Sequence, residues 1–423
     1  MIYRTEFRKG PAPKPVSFFD ILEGVVDMER FEASSLMRPE SFTVTKRYTG
    51  NEPHYNQIAL ESVSTDNFGR AIQVIMDFHN KWESLYSKPR QALYTKFFVP
   101  KQSGGYREIN APCDELKAAM RELNEALMWI SPCEYHTSAY GFIRNRSTVD
   151  AVRKHAAFGS NWYLHTDFHD FFGSMTPEFL RQSMLQIMPY KTMYDCNPEI
   201  FEKLMDCISL AFLNGGLPQG NPISPYLTNL AMIPIDFEFA NKFASKKICY
   251  SRYADDIQIS AKEEFPWKKV LKYMDETLKQ FNAPFSMKPE KTRLNHMGTW
   301  MLGVHIDEHH HMTAGWENRK RFRSEIFTYL MMRKNHEEYD RDRLYKLRGM
   351  TSYFYMIDRE FISDLISKMS NKTGVDFHKQ IKKDLKKLAE AASEPRNILF
   401  FNGQKYEMTD WAGNNNDLPD LPW

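Results

Sequence analysis

Apolar residues recur along the chain with two different periods. In TDNFGRAIQVIMDFHNKWESLY, Ile72, Ile75, Met76 and Phe78 fall at helical spacing, and the first 92 or so residues read as mixed and mostly helical. ALYTKFFVPKQSGGYREINAP predicts two strands, Tyr94–Pro100 and Tyr106–Ala111, joined by a Gly-Gly hairpin turn. DELKAAMRELNEALMWI is a helix with Asp114 as its N-cap. NWYLHTDFHDFFGSM reads as a strand entering a loop, and period-two alternation puts Tyr163, His165 and Asp167 on one face. TPEFLRQSMLQIM restarts a helix, capped by Thr176 with Pro177 in the first helical position. A Gly/Pro-rich loop, NGGLPQGNPISP, then feeds a long helix. Next come a strand–turn–strand around Asp255 and Asp256, a helix over Pro266–Phe281 and a hairpin in TWMLGVHIDEHHHMTA. From about Gly315 to Ala391 the pattern is helical, and the last stretch, NGQKYEMTDWAGNNNDLPDLPW, reads as an irregular tail.

Composition sharpens this picture. A chain of 423 residues is long enough for two or three packed units, and 42% hydrophobic and 14% aromatic residues supply a sizeable core. The net charge of +2 writes no nucleic-acid partner into the whole chain, so a basic surface must be local. The helical stretch from Gly315 to Ala391 is such a place, with about 18 Lys/Arg against about 12 acids. Cys113, Cys133, Cys196, Cys207 and Cys249 are scattered without a CxxC pair, which argues against a zinc site or a disulfide framework and fits a reducing cytosol. MIYRTEFRKGPAPKP has no apolar core of a signal peptide, and no run approaches the roughly 20 apolar residues of a membrane helix. A cytoplasmic protein with no membrane partner is expected.

The candidate chemistry lies in SRYADDIQIS. A solvated turn accommodates two adjacent aspartates by itself, and so does a metal site. If the strands bearing Asp167 and the Asp255–Asp256 bend are neighbours, three carboxylates meet at one sheet edge, where only a cation makes their burial affordable. Hard oxygen ligands favour Mg²⁺. GLPQGNPISP lets backbone approach a nucleotide or template base closely beside Gln219. VPKQSGGYREI offers Lys101 and Arg107 to a triphosphate, although a solvated edge would look the same. DEHHHM reads as a hairpin tip, since adjacent histidines on a strand point to opposite faces.

Taken together and in order, these segments resemble the motifs of the reverse transcriptase family, in the bacterial branch shared by group II intron, retron and defence-associated enzymes. YTKFFVPKQSGGYREINAP resembles the first fingers motif and SAYGFIRNRSTVDAVRKHA the second. HTDFHDFF is similar to motif A, GLPQGNPISPYLTNL to motif B, YADD to motif C, FSMKPEKTRL to motif D and WMLGVHI to the primer-grip motif E. The resemblance covers about residues 90–310. It implies an α+β right-hand polymerase: an N-terminal extension over 1–92, fingers over 93–160, a palm over 161–310 that includes some fingers helices, a helical thumb over 311–395 and a tail over 396–423.

The resemblance also implies roles. Asp167, Asp255 and Asp256 would be the catalytic carboxylates, holding two Mg²⁺ ions (or Mn²⁺ in their place) with the Phe168 carbonyl. Lys101 and Arg107 would hold the triphosphate, Phe172 would exclude a ribose 2′-hydroxyl and so select dNTPs, and Gln219 would contact nucleotide or template. Lys291 would protonate the pyrophosphate. Tyr253, Gly303, Arg319, Arg321 and Arg323 would contact primer or template. The implied partners are a template RNA from the same locus, dNTPs and a DNA product. The NAxxH motif and VTG triplet of retron enzymes are missing, and Ser224–Pro225 stands where diversity-generating enzymes carry SQ. What remains resembles the defence-associated enzymes. A retron or group II intron-type reverse transcriptase, an RNA-dependent RNA polymerase and a non-catalytic RNA-binding scaffold remain open alternatives; Phe172 speaks against the RNA polymerase, and the three carboxylates with Gln219 against the scaffold.

Overall fold

The computed structural model describes residues 65–100, 104–130, 137–187, 189–391, 398–401 and 404–407. Residues 1–64, Lys101 and Cys133 lie outside them. The chain divides after Met297 into two compact units.

In the first unit, α1 (Thr65–Lys81) and the short α2 (Glu83–Tyr86) precede the hairpin β1 (Tyr94–Pro100) and β2 (Tyr106–Pro112). The helix α3 (Asp114–Ile130) begins at Asp114 itself and buries one stripe, Leu116, Met120, Leu123 and Leu127, against α1. After α4 (Thr148–Phe158) comes β3 (Trp162–Asp167), followed by α5 (Pro177–Met184), α6 (Tyr190–Cys196) and α7 (Pro198–Ser209). Thr176 caps α5 by accepting the Phe179 N–H, and Pro177 stands in its first turn. The longest helix, α8 (Ser224–Ser245), is followed by β4 (Ile248–Tyr253), β5 (Asp256–Ala261), α9 (Trp267–Gln280) and β6 (Arg293–His296).

The four longer-range strands form one antiparallel sheet in the order β4-β5-β3-β6. Its two faces have different chemistry because successive side chains alternate. Leu164, Ile257, Ile259 and Tyr250 belong to the main apolar core, and α8 packs against β4. α8 is apolar nearly all round, as a helix buried within a large core must be. The opposite face is polar. There His155 of α4, fully buried, bonds Ser260 Oγ through Nδ1 at 2.6 Å and Ser251 Oγ through Nε2 at 2.7 Å. Burial beside Lys154 drives its imidazole down to about 3, so it stays neutral.

The second unit contains a small sheet in the order β7 (Thr299–Met301), β8 (Val304–Ile306) and β9 (Met312–Thr313). Asp307–His311 make the turn expected there, with Asp307 Oδ1 accepting the His309 and His311 amides. Four helices follow: α10 (Trp316–Lys334), α11 (Arg341–Ile357), α12 (Arg359–Thr373) and α13 (Phe377–Ala391). Phe322, Tyr329, Leu347, Phe354 and Leu365 form much of their buried interior. The tail departs from the expectation of irregular chain: β10 (Ile398–Phe401) and β11 (Gln404–Glu407) pair antiparallel. Asn402–Gly403, flanked by β-prone residues, is the sequence signal for that hairpin. The remainder, from 408 on, lies outside the described residues.

Candidate active site

Asp167 closes β3 and lies directly opposite Asp256, the first residue of β5. Directly opposed residues of an antiparallel pair share a face, so the two carboxylates are neighbours. Tyr253 pairs with Asp256 at the end of the β4–β5 hairpin, leaving Ala254 and Asp255 as a two-residue connection. Ala254 has φ of 57°, the left-handed backbone that tight hairpin turns require. The Asp255 carbonyl accepts the Phe168 N–H at 3.2 Å, tying the turn to the residue after Asp167. The sheet thus brings Asp167, Asp255 and Asp256 to one edge.

Their electrostatics are those of crowded acids. Asp167 is 1% exposed; its Oδ1 is buried without a hydrogen-bond partner, while Oδ2 accepts from the Lys291 ammonium. Burial, then the charges of Asp167 and Asp256, push the Asp255 carboxyl up to about 7. Asp256 is raised by burial as well, partly offset by His165, whose Nε2 is 3.7 Å from its Oδ1. Lys291 is raised mainly by its hydrogen bond to Asp167, so it stays protonated. Among the described residues, no three His, Cys, Asp or Glu side chains are gathered into a set that would hold a cation unaided.

The turn is braced from behind. Arg252, fully buried, grips Asp236 of α8 with Nε at 2.9 Å and Nη2 at 2.7 Å. Its Nη1 donates to the Ala254 carbonyl at 3.0 Å, in the turn itself. Ser138–Gly141 runs along the outer edge of β4: the Arg252 amide donates to the Ser138 carbonyl at 2.7 Å and the Tyr140 amide to the Arg252 carbonyl at 2.8 Å. Asn229 Nδ2 of α8 holds the Gly141 carbonyl at 2.7 Å. A Cβ on Gly141 would run into the Ala254 amide nitrogen. Gly141→Ala must therefore displace the turn. We expect a folded protein whose primer extension falls by on the order of 100-fold, since small misplacements of reacting groups have that effect; circular dichroism and a primer-extension assay check it.

The remaining predicted residues fall in several places. Phe171 is buried, stacked on Phe168 with ring centres 5.4 Å apart, whereas Phe172 is only half-buried beside it. The Phe172 carbonyl accepts the Leu217 amide at 3.0 Å, and a Cβ on Gly216 would strike the Gly173 carbonyl, so the GLPQG loop lies against the loop after β3. On its other side the Gln219 carbonyl accepts the Asn110 amide of β2 at 2.8 Å, leaving the Gln219 side chain exposed. Arg107 is exposed on β2, opposite Val99; Lys101 is outside the described residues.

In the second unit the Gly303 carbonyl accepts the Tyr353 hydroxyl at 3.3 Å. Arg319 is committed internally, bonding Asp358 at 2.6 Å and lying 4.1 Å from the Phe361 ring centre, while Arg321 and Arg323 are exposed. Gly141 and Phe142 belong to the stretch that resembles the second fingers motif, with no role read for either, and Arg252, Asp236 and Asn229 were not singled out from the sequence. Asp236 within the apolar stretch LAMIPIDF was the available signal, because a buried carboxylate requires a partner.

A family model described as reverse transcriptase (RNA-dependent DNA polymerase) matches residues 99–330. The retron Ec83 reverse transcriptase of Escherichia coli is 26% identical over 296 residues, covering 68% of this chain and 90% of its own. The retron Ec73 enzyme of Escherichia coli is 27% identical, covering 47% of this chain and 63% of its own. The retron Mx65 enzyme of Myxococcus xanthus is 26% identical, covering 64% of each. Among solved structures, telomerase from Candida tropicalis with a fragment of telomeric RNA gives a TM-score of 0.41 at 12% identity, covering 71% of this chain and 59% of that one. The match over more than half its length shows that the chain belongs to the reverse transcriptase family and is an RNA-directed DNA polymerase with an α+β right-hand fold.

Proposed function

We propose that this polymerase copies a dedicated non-coding RNA from its own locus into DNA, by two-metal nucleotidyl transfer, in bacterial anti-phage defence. The convergence of Asp167, Asp255 and Asp256, with one buried oxygen left unbonded, carries the catalytic part of this reading. Hard oxygens at an open sheet edge fit Mg²⁺, or Mn²⁺ in its place, because such ions take one or two carboxylates and complete their shells with water and substrate phosphates. Asp167, Asp255, Asp256 and the Phe168 carbonyl would hold them. The chemistry such ions supply is activation of a primer 3′-hydroxyl and charge compensation on departing pyrophosphate.

The chain's own residues have separate tasks in this reading. Lys101 and Arg107 bring positive charge to the triphosphate from the β1–β2 hairpin. Phe172 closes the space beside the sugar, admitting dNTPs and excluding rNTPs. Gln219, on a loop anchored by backbone bonds on both sides, contacts nucleotide or template. Lys291 keeps its proton and can give it to the leaving pyrophosphate. Tyr253 and Gly303 position the primer. Arg321 and Arg323, being exposed, are better placed than the internally bonded Arg319 to grip phosphates without reading sequence. The finger, palm, thumb and extension boundaries given above belong to the same reading.

The defence role rests on the resemblance of LRGMTSYFYMIDREFISDLISKM to the thumb of the retron-like and defence-associated enzymes. The test is to express the protein with its flanking DNA, purify it and sequence the RNA and DNA that accompany it. A single RNA species should copurify with both wild type and Asp255→Ala/Asp256→Ala, and complementary DNA with wild type alone. Complementary DNA that survives the double substitution would overturn the site assignment; a random RNA population would overturn the dedicated template. For the defence role, phage plating efficiency on cells carrying the locus should fall, and should recover with the double variant.

A further inference from the structure

We propose that Phe142 is a positioning residue that braces Phe172, making sugar selection a property of an aromatic pair; this deepens the reading of Phe172 as the sugar gate and rests on it. Three observations converge on Phe142. It is a bulky residue held at φ of 59°, a backbone region that residues with a large side chain seldom occupy. Such outliers persist where the surroundings over-determine them, and they gather at functional sites. Its ring is 40% exposed, so burial in the core does not account for the strain.

The surroundings explain how the conformation is enforced. Gly141, immediately before it, is wedged against Ala254 of the catalytic turn and held by Asn229. After it, Arg146 Nη1 donates to the Ala139 carbonyl at 2.6 Å and closes the loop on itself. The backbone leading into Phe142 is therefore fixed to β4 and its turn, which sets where the ring departs from the chain.

From there the ring reaches across the site. The Phe142 ring meets Phe172 edge-on, with centres 6.1 Å apart and planes at 80°. It also lies 6.4 Å from the ring centre of Tyr253. Phe172 also meets the buried Phe171, 5.6 Å away at 82°. Phe172 thus touches both a core ring and an exposed ring, each in the edge-to-face geometry that aromatic pairs favour. Phe171 is immobile within the core, so the freedom of the gate ring is set by Phe142. Without that brace Phe172 can swing away from the sugar, and a 2′-hydroxyl gains room.

The experiment is single-nucleotide incorporation on an RNA template with a DNA primer, reading kcat and KM for a dNTP and the matching rNTP. The variants are Phe172→Ala, Phe142→Ala, Phe142→Gly, Phe142→Tyr and Phe142→Ala/Phe172→Ala. Phe142→Gly removes the ring while accepting the left-handed backbone, so a folding defect does not obscure the result. We expect Phe142→Ala and Phe142→Gly to lose discrimination by roughly tenfold, the factor one aromatic pair is worth. Phe142→Tyr should keep it, and the double variant should be no less selective than Phe172→Ala.

Relaxation by Phe172→Ala with none by Phe142→Gly overturns the brace and leaves the gate standing. No relaxation by Phe172→Ala overturns the gate and the brace with it. Additive losses, or equal changes in KM for both sugars, mean that Phe142 touches substrate directly, which also overturns the brace.

Discussion

Asp255→Asn abolishes nucleotide incorporation, by on the order of 10³-fold or more, while raising the thermal midpoint of the metal-free protein at pH 8. The two effects have one cause. Burial and two neighbouring carboxylates push the Asp255 carboxyl up to about 7, far above its unfolded value. A carboxyl raised by folding favours the folded state while it is protonated and loses that preference as pH rises. Wild type without divalent cations therefore sheds stability as pH climbs from about 4 to about 7 and regains none above. Asparagine has no proton to lose there, so the variant's stability curve is flatter across that window. Thermal melts from acid to alkaline pH, beside an incorporation assay, check both halves. A variant that loses activity and stability together at pH 8 would mean that Asp255 supports the fold.

Arg252→Met destabilises the protein by about 3–5 kcal/mol, because it strips Asp236 of its counter-charge in the core and leaves it the Tyr250 hydroxyl. A loss of that size lowers the thermal midpoint by roughly 10 °C. Arg252→Met/Asp236→Leu removes both charges and recovers part of the stability, short of the whole because the buried Tyr250 hydroxyl loses its acceptor. Activity should stay low in the double variant, since the Ala254 carbonyl still lacks the donor that fixes the catalytic turn. Thermal melts and primer extension on the single and double variants separate the two roles. Full recovery of activity in the double variant would reduce Arg252 to a packing element.

The parts of the site that were legible in the sequence are those set by local rules. Period-two alternation placed Asp167 at a strand end, and turn chemistry placed Asp255 and Asp256 in a hairpin. Register was not legible. That Asp167 lies opposite Asp256, while His165 lies opposite Gln258 93 residues away, depends on pairing that no short window contains. The same holds for Phe171 and Phe172. Adjacent phenylalanines both look like core, and only packing of Phe171 against Phe168 and Phe285 decides which ring is left at the surface. Arg252 reads as one more basic residue in a strand until Asp236 is seen beneath it. Arg319 looks as available for phosphate as Arg321, and the ion pair with Asp358 separates them. The tail hairpin was missed for a different reason: the acidic, asparagine-rich end outweighed the Asn-Gly signal ahead of it.

The strand order β4-β5-β3-β6 puts the first-made strand in the middle, and this sets a timetable for biosynthesis. Asp167 leaves the ribosome well before Lys291, its partner 124 residues further on, an interval of roughly 6–25 s at ordinary elongation rates. Until β5 is made both edges of β3 are bare, and until β6 follows one edge stays bare, as an exposed template for mispairing with other nascent chains. Synonymous codons that slow translation between these two residues should lower the soluble yield, and chaperones that shield extended segments should raise it. A nascent chain that stops before β5 carries Asp167 without Asp255 and Asp256 opposite it, so the carboxylate cluster is among the last features of this sheet to be completed.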